Sequence, residues 1–381
     1  MMKTIKLLIC ITISIILVVP AFKVSALSPD EITAPSAVLV EATTGKVLYE
    51  KNPSDTRACA SITKVMTLLL VMEAIDTGKL KLTDTVTASA HAASMGGSDI
   101  WLEPGETMSV DDMIKATAVA SANDAAVALA EHLCGTEEAF VENMNKRATE
   151  LGMTGTVFKN CNGLDEDGHL TNALDVSIMS RQLIKHPKIF DYTTIWMDFL
   201  RDGKTQIVNT NKLLKSYPGA NGLKTGTTSQ AGSCITATAT KDNLQLIAVV
   251  LGSSTGKERF NDATKLLNYG FANFSVYTPN DINLEISNVE VTKGMENQVA
   301  LEVLPIESIV LPKGEASKLE PIINICESVE APVEKGQPLG NITYKLGNES
   351  VAKTDIVAAD SVEDIHFGGI FEILLKAFLS P

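Results

Sequence analysis

Three short polar motifs, Ser61-Ile62-Thr63-Lys64, Ser121-Ala122-Asn123 and Lys224-Thr225-Gly226, carry the residue types that a serine-based acyl transfer needs. A serine hydroxyl is a weak nucleophile until a base takes its proton. On a helix, residues three apart face the same way, which puts Lys64 beside Ser61. A lysine with the ordinary pKa of about 10.4 is charged at neutral pH and cannot accept that proton. Burial and a second nearby cation both disfavour the ammonium form. The apolar run after Lys64 supplies the burial, and Lys224 supplies the cation. Ser121 and Asn123 offer a proton relay, and the Lys-Thr-Gly strand offers an anion clamp.

Ser-x-x-Lys alone says little. The same chain contains Ser254-Thr255-Gly256-Lys257 and Ser350-Val351-Ala352-Lys353 in polar or β-like surroundings, with no apolar helix behind them. The order and company of the three motifs carry the argument. Other chemistries are poorly represented. There is no Cys-x-x-Cys, His-x-x-x-His or His-Glu-x-x-His pattern, so no metal and no cofactor are expected. Gly252-Ser253-Ser254-Thr255-Gly256-Lys257 is one residue short of a P-loop and lacks the hydroxyl after lysine. The net charge of −14, without a basic patch, argues against a nucleic-acid partner.

The chain is long enough, and at 45% hydrophobic residues apolar enough, for one large core and a second small domain. Residues 36–52 read as a hairpin around Thr44-Gly45. Residues 61–76 read as a helix buried on all sides and ended by Gly78. Residues 84–150 read as mostly helical, 160–170 as a loop, and Asp175 to Ile184 as a helix stopped by Pro187. Two strands follow, Cys234 to Thr240 and Leu244 to Leu251, joined by Lys241-Asp242-Asn243, with Lys224-Thr225-Gly226 on a neighbouring strand. An amphipathic helix is expected over 257–274. Beyond Thr278-Pro279-Asn280 the chain changes character: Ile282, Leu284 and Ile286 alternate, as do Val299, Leu301 and Val303.

The ends carry their own signals. Met1 to Lys6 is basic, Leu7 to Val19 is apolar, and Val24-Ser25-Ala26 is a small-residue cleavage pattern. The apolar run of about 13 residues is short of the roughly 20 that span a bilayer, so it reads as a cleaved export signal. The five cysteines after that cut, at irregular spacing, read as small buried thiols. At the other end Ile365, Phe367, Ile370, Phe371, Ile373, Leu374, Leu375, Phe378 and Leu379 surround only Glu372 and Lys376 as charges. That pattern fits an amphipathic helix lying in a membrane surface.

With these motifs in place, the chain resembles the penicillin-binding protein and serine β-lactamase superfamily. It is more similar to the low-molecular-mass D-alanyl-D-alanine carboxypeptidases over about residues 30–360. The resemblance implies an α+β fold, with a helical cluster on an antiparallel sheet, then a small all-β domain and a C-terminal amphipathic helix. The divisions expected are a signal peptide over 1–26, a catalytic domain over 27–276, a β domain over 277–360 and a membrane-associating helix over 361–381. It implies an exported enzyme at the outer face of the bacterial cytoplasmic membrane, removing the terminal D-alanine of peptidoglycan stem peptides and acylated by β-lactams. In that chemistry Ser61 is the nucleophile, Lys64 its base, and Ser121 passes a proton to the leaving D-alanine. The N–H groups of Ser61 and Thr227 form an oxyanion hole. Lys224, Thr225 and Thr227 hold the terminal carboxylate, Arg259 assists them, Gly226 also belongs to the substrate-binding set, and Asn123 contacts substrate or orients Lys64. His169 and Asp175 receive no chemical role. The rival readings are a β-lactamase, a stem-peptide endopeptidase and a non-catalytic envelope binding protein. No Glu-x-x-Leu-Asn for water activation lies between Ser121 and Lys224, and the trailing β domain also argues against a lactamase.

Overall fold

A computed structural model of the chain describes residues 27–279, 288–306, 308–369, 371 and 378. The expected export signal and the alternation at Ile282, Leu284 and Ile286 lie outside them.

The central element is a five-stranded antiparallel sheet formed by β1 (Ser36–Glu41), β2 (Val47–Lys51), β3 (Ala220–Thr228), β4 (Gly232–Lys241) and β5 (Leu244–Ser253). Its spatial order is β2-β1-β5-β4-β3, so the first hairpin docks against the strand that comes last in sequence. The strand pattern has period two, and both faces are used. Val38, Val40, Ile247, Val249 and Leu251 face a helical cluster. Ala37, Leu39, Leu246, Ala248 and Val250 face the opposite way. A sheet covered on both sides explains why these strands read as nearly continuous apolar runs.

The larger layer holds α1 (Lys64–Asp76), α2 (Asn123–Cys134), α3 (Glu137–Glu150) and α4 (Ala173–Ile184). The opposite layer is α5 (Gly256–Asn273), which buries Ala263, Leu266 and Leu267 against the sheet. Local signals set the helix starts. Thr136 accepts from Ala139 N, Asn172 from Asp175 N and Thr255 from Glu258 N, each satisfying a donor the helix leaves free.

Residues 84–109 depart from the helical expectation. Thr85–Thr87 pairs with Thr107–Ser109 as a short hairpin, and only Ala90–Ala93 between them is helical. The intervening loop is tied down from outside: Asp124 accepts from Ile100 N at 3.1 Å and from Leu102 N at 3.0 Å. A second hairpin, Met197–Leu200 with Thr205–Val208, also lacked a readable sequence signal.

The chain then passes through Phe274–Tyr277, which pairs with Ile309–Pro312, into a six-stranded sheet. The strands are antiparallel except Asn288–Thr292 and Ser328–Glu330, which run parallel. Val289, Val299, Val333, Leu339 and Val362 form one small core there, and Leu311, Ile342 and Ile356 another. The expected helix over 361–381 lies partly outside the described residues, with 367–369, 371 and 378 helical. Its first residues are instead part of the β structure: Val362 bridges Val333, Asp364 bridges Gly294, and Ile365 N donates to Lys293 O. Phe367 and Phe371 stack with ring centroids 6.4 Å apart and stay exposed, as does Phe378. Among the described residues no helix is long and apolar enough to cross a membrane.

Candidate active site

Ser61 lies in a tight turn, Ala60–Thr63, immediately before α1. Ala60 has φ +52°, a left-handed conformation that costs an alanine roughly 1–2 kcal/mol. Two glycines let other segments close on this turn. A Cβ on Gly226 would stand 2.8 Å from Cys59 O and from Ser61 N. One on Gly163 would stand 2.0 Å from Ala60 O. Strand β3 and the loop 160–170 are therefore packed directly onto the serine turn.

Lys64 is fully buried, and its ammonium nitrogen meets three oxygens. Ser61 Oγ is 3.1 Å away, Asn123 Oδ1 2.5 Å and the main-chain carbonyl of Asn162 2.6 Å. The Asn123 amide is oriented by its other end, since Nδ2 donates to Gly96 O at 2.6 Å. Burial pushes Lys64 down to about 7, against the opposing charges of Asp99 and Asp124. A neutral amine has two N–H bonds and one lone pair. Two of the three neighbours are carbonyl oxygens that only accept, so they take both N–H groups. The lone pair is left facing the one partner able to give a proton, the Ser61 hydroxyl.

Ser121 follows a π-helical turn, Ala116–Ala120, and itself has φ +65°. That reversal precedes α2 and lets Ser121 and Asn123 both reach the site. Ser121 Oγ accepts from Lys224 Nζ at 2.8 Å, and Lys224 also donates to Thr225 O at 2.9 Å. Lys224 is buried, and burial, then Lys64 and Arg259, hold its pKa well below the ordinary lysine value. Burial is the main cause of the lowered pKa on both lysines, and the repulsion between them adds to it.

Thr225 Oγ1 donates to Thr210 Oγ1 at 2.7 Å, and Thr227 lies exposed at the rim. Arg259 projects from α5 between sheet and turn. Its Nη1 donates to Gly226 O and Thr227 Oγ1, both at 2.9 Å. Ser61, Lys64, Ser121, Asn123, Lys224, Thr225, Gly226, Thr227 and Arg259 thus come together in one cluster around the serine turn, although they come from four separate stretches of chain.

The loop 160–170 forms the other wall. Asp165 accepts from Thr228 Oγ1 at 2.6 Å and latches the loop to the end of β3. His169 is buried, and burial holds its pKa down to about 4. Its Nδ1 accepts from Lys159 N at 3.1 Å, so the neutral ring donates from Nε2 to Thr63 Oγ1 at 2.8 Å. Asp175 accepts from Gly155 N and Thr156 Oγ1. His169 thus ties the loop to the serine turn, and Asp175 ties residues 155–156 to the start of α4. The Asn162 carbonyl and Thr210 escaped the sequence reading. A main-chain carbonyl has no residue-type signature, and Thr210 lies in a segment with no motif. Among the described residues no group of three or more His, Cys, Asp or Glu is arranged to hold a metal.

The geometry can be set against known proteins. Residues 23–255 match the family described as D-alanyl-D-alanine carboxypeptidase, and 271–364 match the C-terminal domain of penicillin-binding protein 5. The D-alanyl-D-alanine carboxypeptidase DacF of Bacillus subtilis is 46% identical over 338 residues, 88% of this chain and 87% of that protein. The crystal structure of penicillin-binding protein 5 from Haemophilus influenzae superposes with a TM-score of 0.80 at 34% identity, covering 89% of this chain and 100% of that one. Penicillin-binding protein D2 of Listeria monocytogenes, in its ampicillin-bound form, superposes with a TM-score of 0.58 at 34% identity over 62% of this chain and 97% of that one. Matches to both the catalytic and the trailing β portions, at these coverages, mean that the chain belongs to the D-alanyl-D-alanine carboxypeptidase family, the low-molecular-mass penicillin-binding proteins.

Proposed function

We propose that this carboxypeptidase works outside the cytoplasm and removes the terminal D-alanine of peptidoglycan stem peptides through an acyl-enzyme on Ser61. The observation that carries the reading is the buried Lys64 amine, whose two N–H groups are taken by carbonyls and whose lone pair faces the Ser61 hydroxyl.

Lys64 takes the Ser61 proton as Oγ attacks the carbonyl between the two D-alanines. The Ser61 and Thr227 N–H groups face the developing oxyanion; one such donor is worth roughly 3–4 kcal/mol in other acyl-transfer enzymes. The proton Lys64 took passes by way of Ser121, bonded to Lys224, to the leaving amine as the C–N bond breaks, which returns Lys64 to its neutral form and Ser121 to its hydroxyl. Lys224, Thr225 and Thr227, backed by Arg259, hold the free carboxylate. A bound carboxylate supplies the countercharge that burial denies Lys224, so the lysine takes up a proton as substrate binds. Water then attacks the ester, with Lys64 again as base, and frees Ser61. A β-lactam carries its own amide carbonyl and carboxylate and enters the same path to a stable acyl-enzyme.

Residues 1–26 direct export and are cleaved after Ala26. The apolar stretch from Phe367 onward lies in the outer surface of the cytoplasmic membrane. The exposure of Phe367 and Phe371 beyond the last β-bridge supports that placement.

The direct test is release of D-alanine from a pentapeptide ending in D-Ala-D-Ala, with mass analysis after penicillin exposure. Turnover together with a single adduct on Ser61 is expected. An adduct on any other residue, or no turnover, defeats the assignment.

A further inference from the structure

The two carbonyl oxygens that take the Lys64 N–H groups are themselves held in place, and their supports meet at one carboxylate. Glu137 opens α3, far from the three motifs in sequence. Its Oε1 accepts from Cys161 N at 3.0 Å, and its Oε2 accepts from His91 Nε2 at 2.7 Å. Each of these partners leads to a group that touches Lys64.

Cys161 immediately precedes Asn162, whose carbonyl accepts from Lys64 Nζ at 2.6 Å. The Cys161 carbonyl accepts from Thr67 Oγ1 at 2.5 Å. Thr67 is three residues beyond Lys64 on α1, so both side chains grip successive carbonyls from one helix face. Thr67 fixes the carbonyl of Cys161 and Glu137 fixes its N–H. Both peptide units flanking Cys161 are thus clamped just ahead of the Asn162 carbonyl.

His91 lies in the short helix Ala90–Ala93, and its segment runs on through Met95 and Gly96. Met95 Sδ accepts from Asn162 Nδ2 at 3.4 Å, and Gly96 O accepts from Asn123 Nδ2 at 2.6 Å. Asn123 Oδ1 takes the second Lys64 N–H. One oxygen of Glu137 therefore braces the segment that supplies the first acceptor. The other oxygen braces the segment that orients the second.

An exposed ion pair would hold little in place. The Glu137 side chain is only 11% exposed, against 49% for His91, and one of its two donors is main chain. A carboxylate mostly out of water makes stronger hydrogen bonds, and its place at a helix start adds to them.

We propose that Glu137 is a positioning residue for acyl transfer, acting through Cys161 and His91 to hold the two carbonyls that aim the Lys64 lone pair at Ser61. It touches neither Lys64 nor Ser61 by hydrogen bond. The inference rests on Lys64 being the base of the carboxypeptidase reading.

The test is stopped-flow acylation of the intact protein by penicillin, which separates the dissociation constant of the first complex from the acylation rate constant. Rates are taken per Ser61 that becomes acylated at completion, so unfolded protein does not count. Glu137→Ala should lower the rate constant by about 10–100-fold, the scale of a misplacement near 1 Å. The dissociation constant should stay within about twofold, because Lys224, Thr225 and Thr227 do not hang on Glu137. Glu137→Gln keeps an oxygen for Cys161 N and should restore the rate to within about threefold of the wild type. His91→Ala removes a half-exposed ring and should give a smaller loss of rate. Adding it to Glu137→Ala should cost nothing more, since both cut the same bond. An unchanged rate constant in Glu137→Ala, or an equal loss in Glu137→Gln, overturns the proposal. If Glu137→Ala does not fold, an unchanged rate constant in His91→Ala overturns it instead. No acylation of Ser61 in the wild type overturns the carboxypeptidase reading itself.

Discussion

The main-chain carbonyl of Asn162 accepts from Lys64 Nζ at 2.6 Å. That contact joins a loop to a helix 98 residues away, and with Asn123 Oδ1 it decides which way the lysine lone pair points. Burial holds Lys64 at about 7. The proton must be off for the base to work, so acylation by substrate or penicillin should rise through pH 7 and level above it. The acid limb of kcat/KM reports this. Lys64→Ala should lower acylation by roughly 10²–10⁴-fold, the usual range for a general base. Loss of less than about tenfold contradicts the role.

Lys224 predicts a different pH effect. Its pKa is held well below the ordinary value in the free protein, and a bound carboxylate raises it. Binding therefore takes up a proton, and affinity should fall as pH climbs above the free-state pKa. KM for a peptide ending in a free carboxylate should rise with pH. KM for the C-terminal amide should stay flat, and calorimetry in two buffers should show proton uptake only with the acid.

Gly226 touches the serine turn so closely that a methyl group has nowhere to go. The obstructing atoms are backbone, Cys59 O and Ser61 N, which move only if the turn moves. Gly226→Ala should destabilise the fold by about 1–3 kcal/mol through overpacking. It should also slow penicillin acylation by about 10²-fold, since a displacement near 1 Å is enough for that. A variant with normal melting temperature and normal acylation would show that the contact is not a constraint.

His169 gives a stability prediction with a definite sign. Its neutral ring accepts from Lys159 N and donates to Thr63, so the folded state resists protonation. The folded value is about 4 against 6.5 for the unfolded chain. Between these pH values the unfolded state binds more protons, so stability is full above pH 6.5 and falls as pH drops from 6.5 to 4. The shift corresponds to about 3 kcal/mol at most. Denaturant melts at pH 7 and pH 4.5 should show the loss, and His169→Gln should reduce the difference between them.

Residues 362–365 are bridged to the β domain through Val333, Gly294 and Lys293, so the position of a C-terminal truncation matters. Ending the chain at His366 should release the protein from membranes and keep D-alanine release intact. Ending it at Ser361 removes Val362, which is 3% exposed, and should cost about 2 kcal/mol more in the melt of the β portion. Membrane retention after the shorter deletion refutes surface anchoring.

Part of this protein is legible in its residues alone, because the relevant physics is local. Ser61 and Lys64 are one helical turn apart, so their meeting follows from spacing. Asn172 and Thr255 announce helix starts through side-chain oxygens that cap free N–H groups. Asp242 and Asn243 turn β4 into β5 with positive φ, which their short polar side chains tolerate. The apolar faces of β1, β5 and α5 follow from periodicity.

The rest had to wait for the chain to close on itself. Residues 84–109 hold together through Asp124, a partner beyond their own window, so no local pattern reveals their conformation. Sequence puts Lys224 on a strand, but only the packing of β3 on the serine turn brings its nitrogen to Ser121. Ala60 and Ser121 adopt left-handed backbone angles that their side chains do not favour, and surrounding contacts impose them. Asn162 contributes a carbonyl that every residue owns, so nothing in its type marks the contact. The residue types fixed what chemistry was available. Burial and the meeting of distant backbone atoms decided which lysine loses its proton and where its lone pair points, because solvation and hydrogen-bond geometry exist only once the chain is folded.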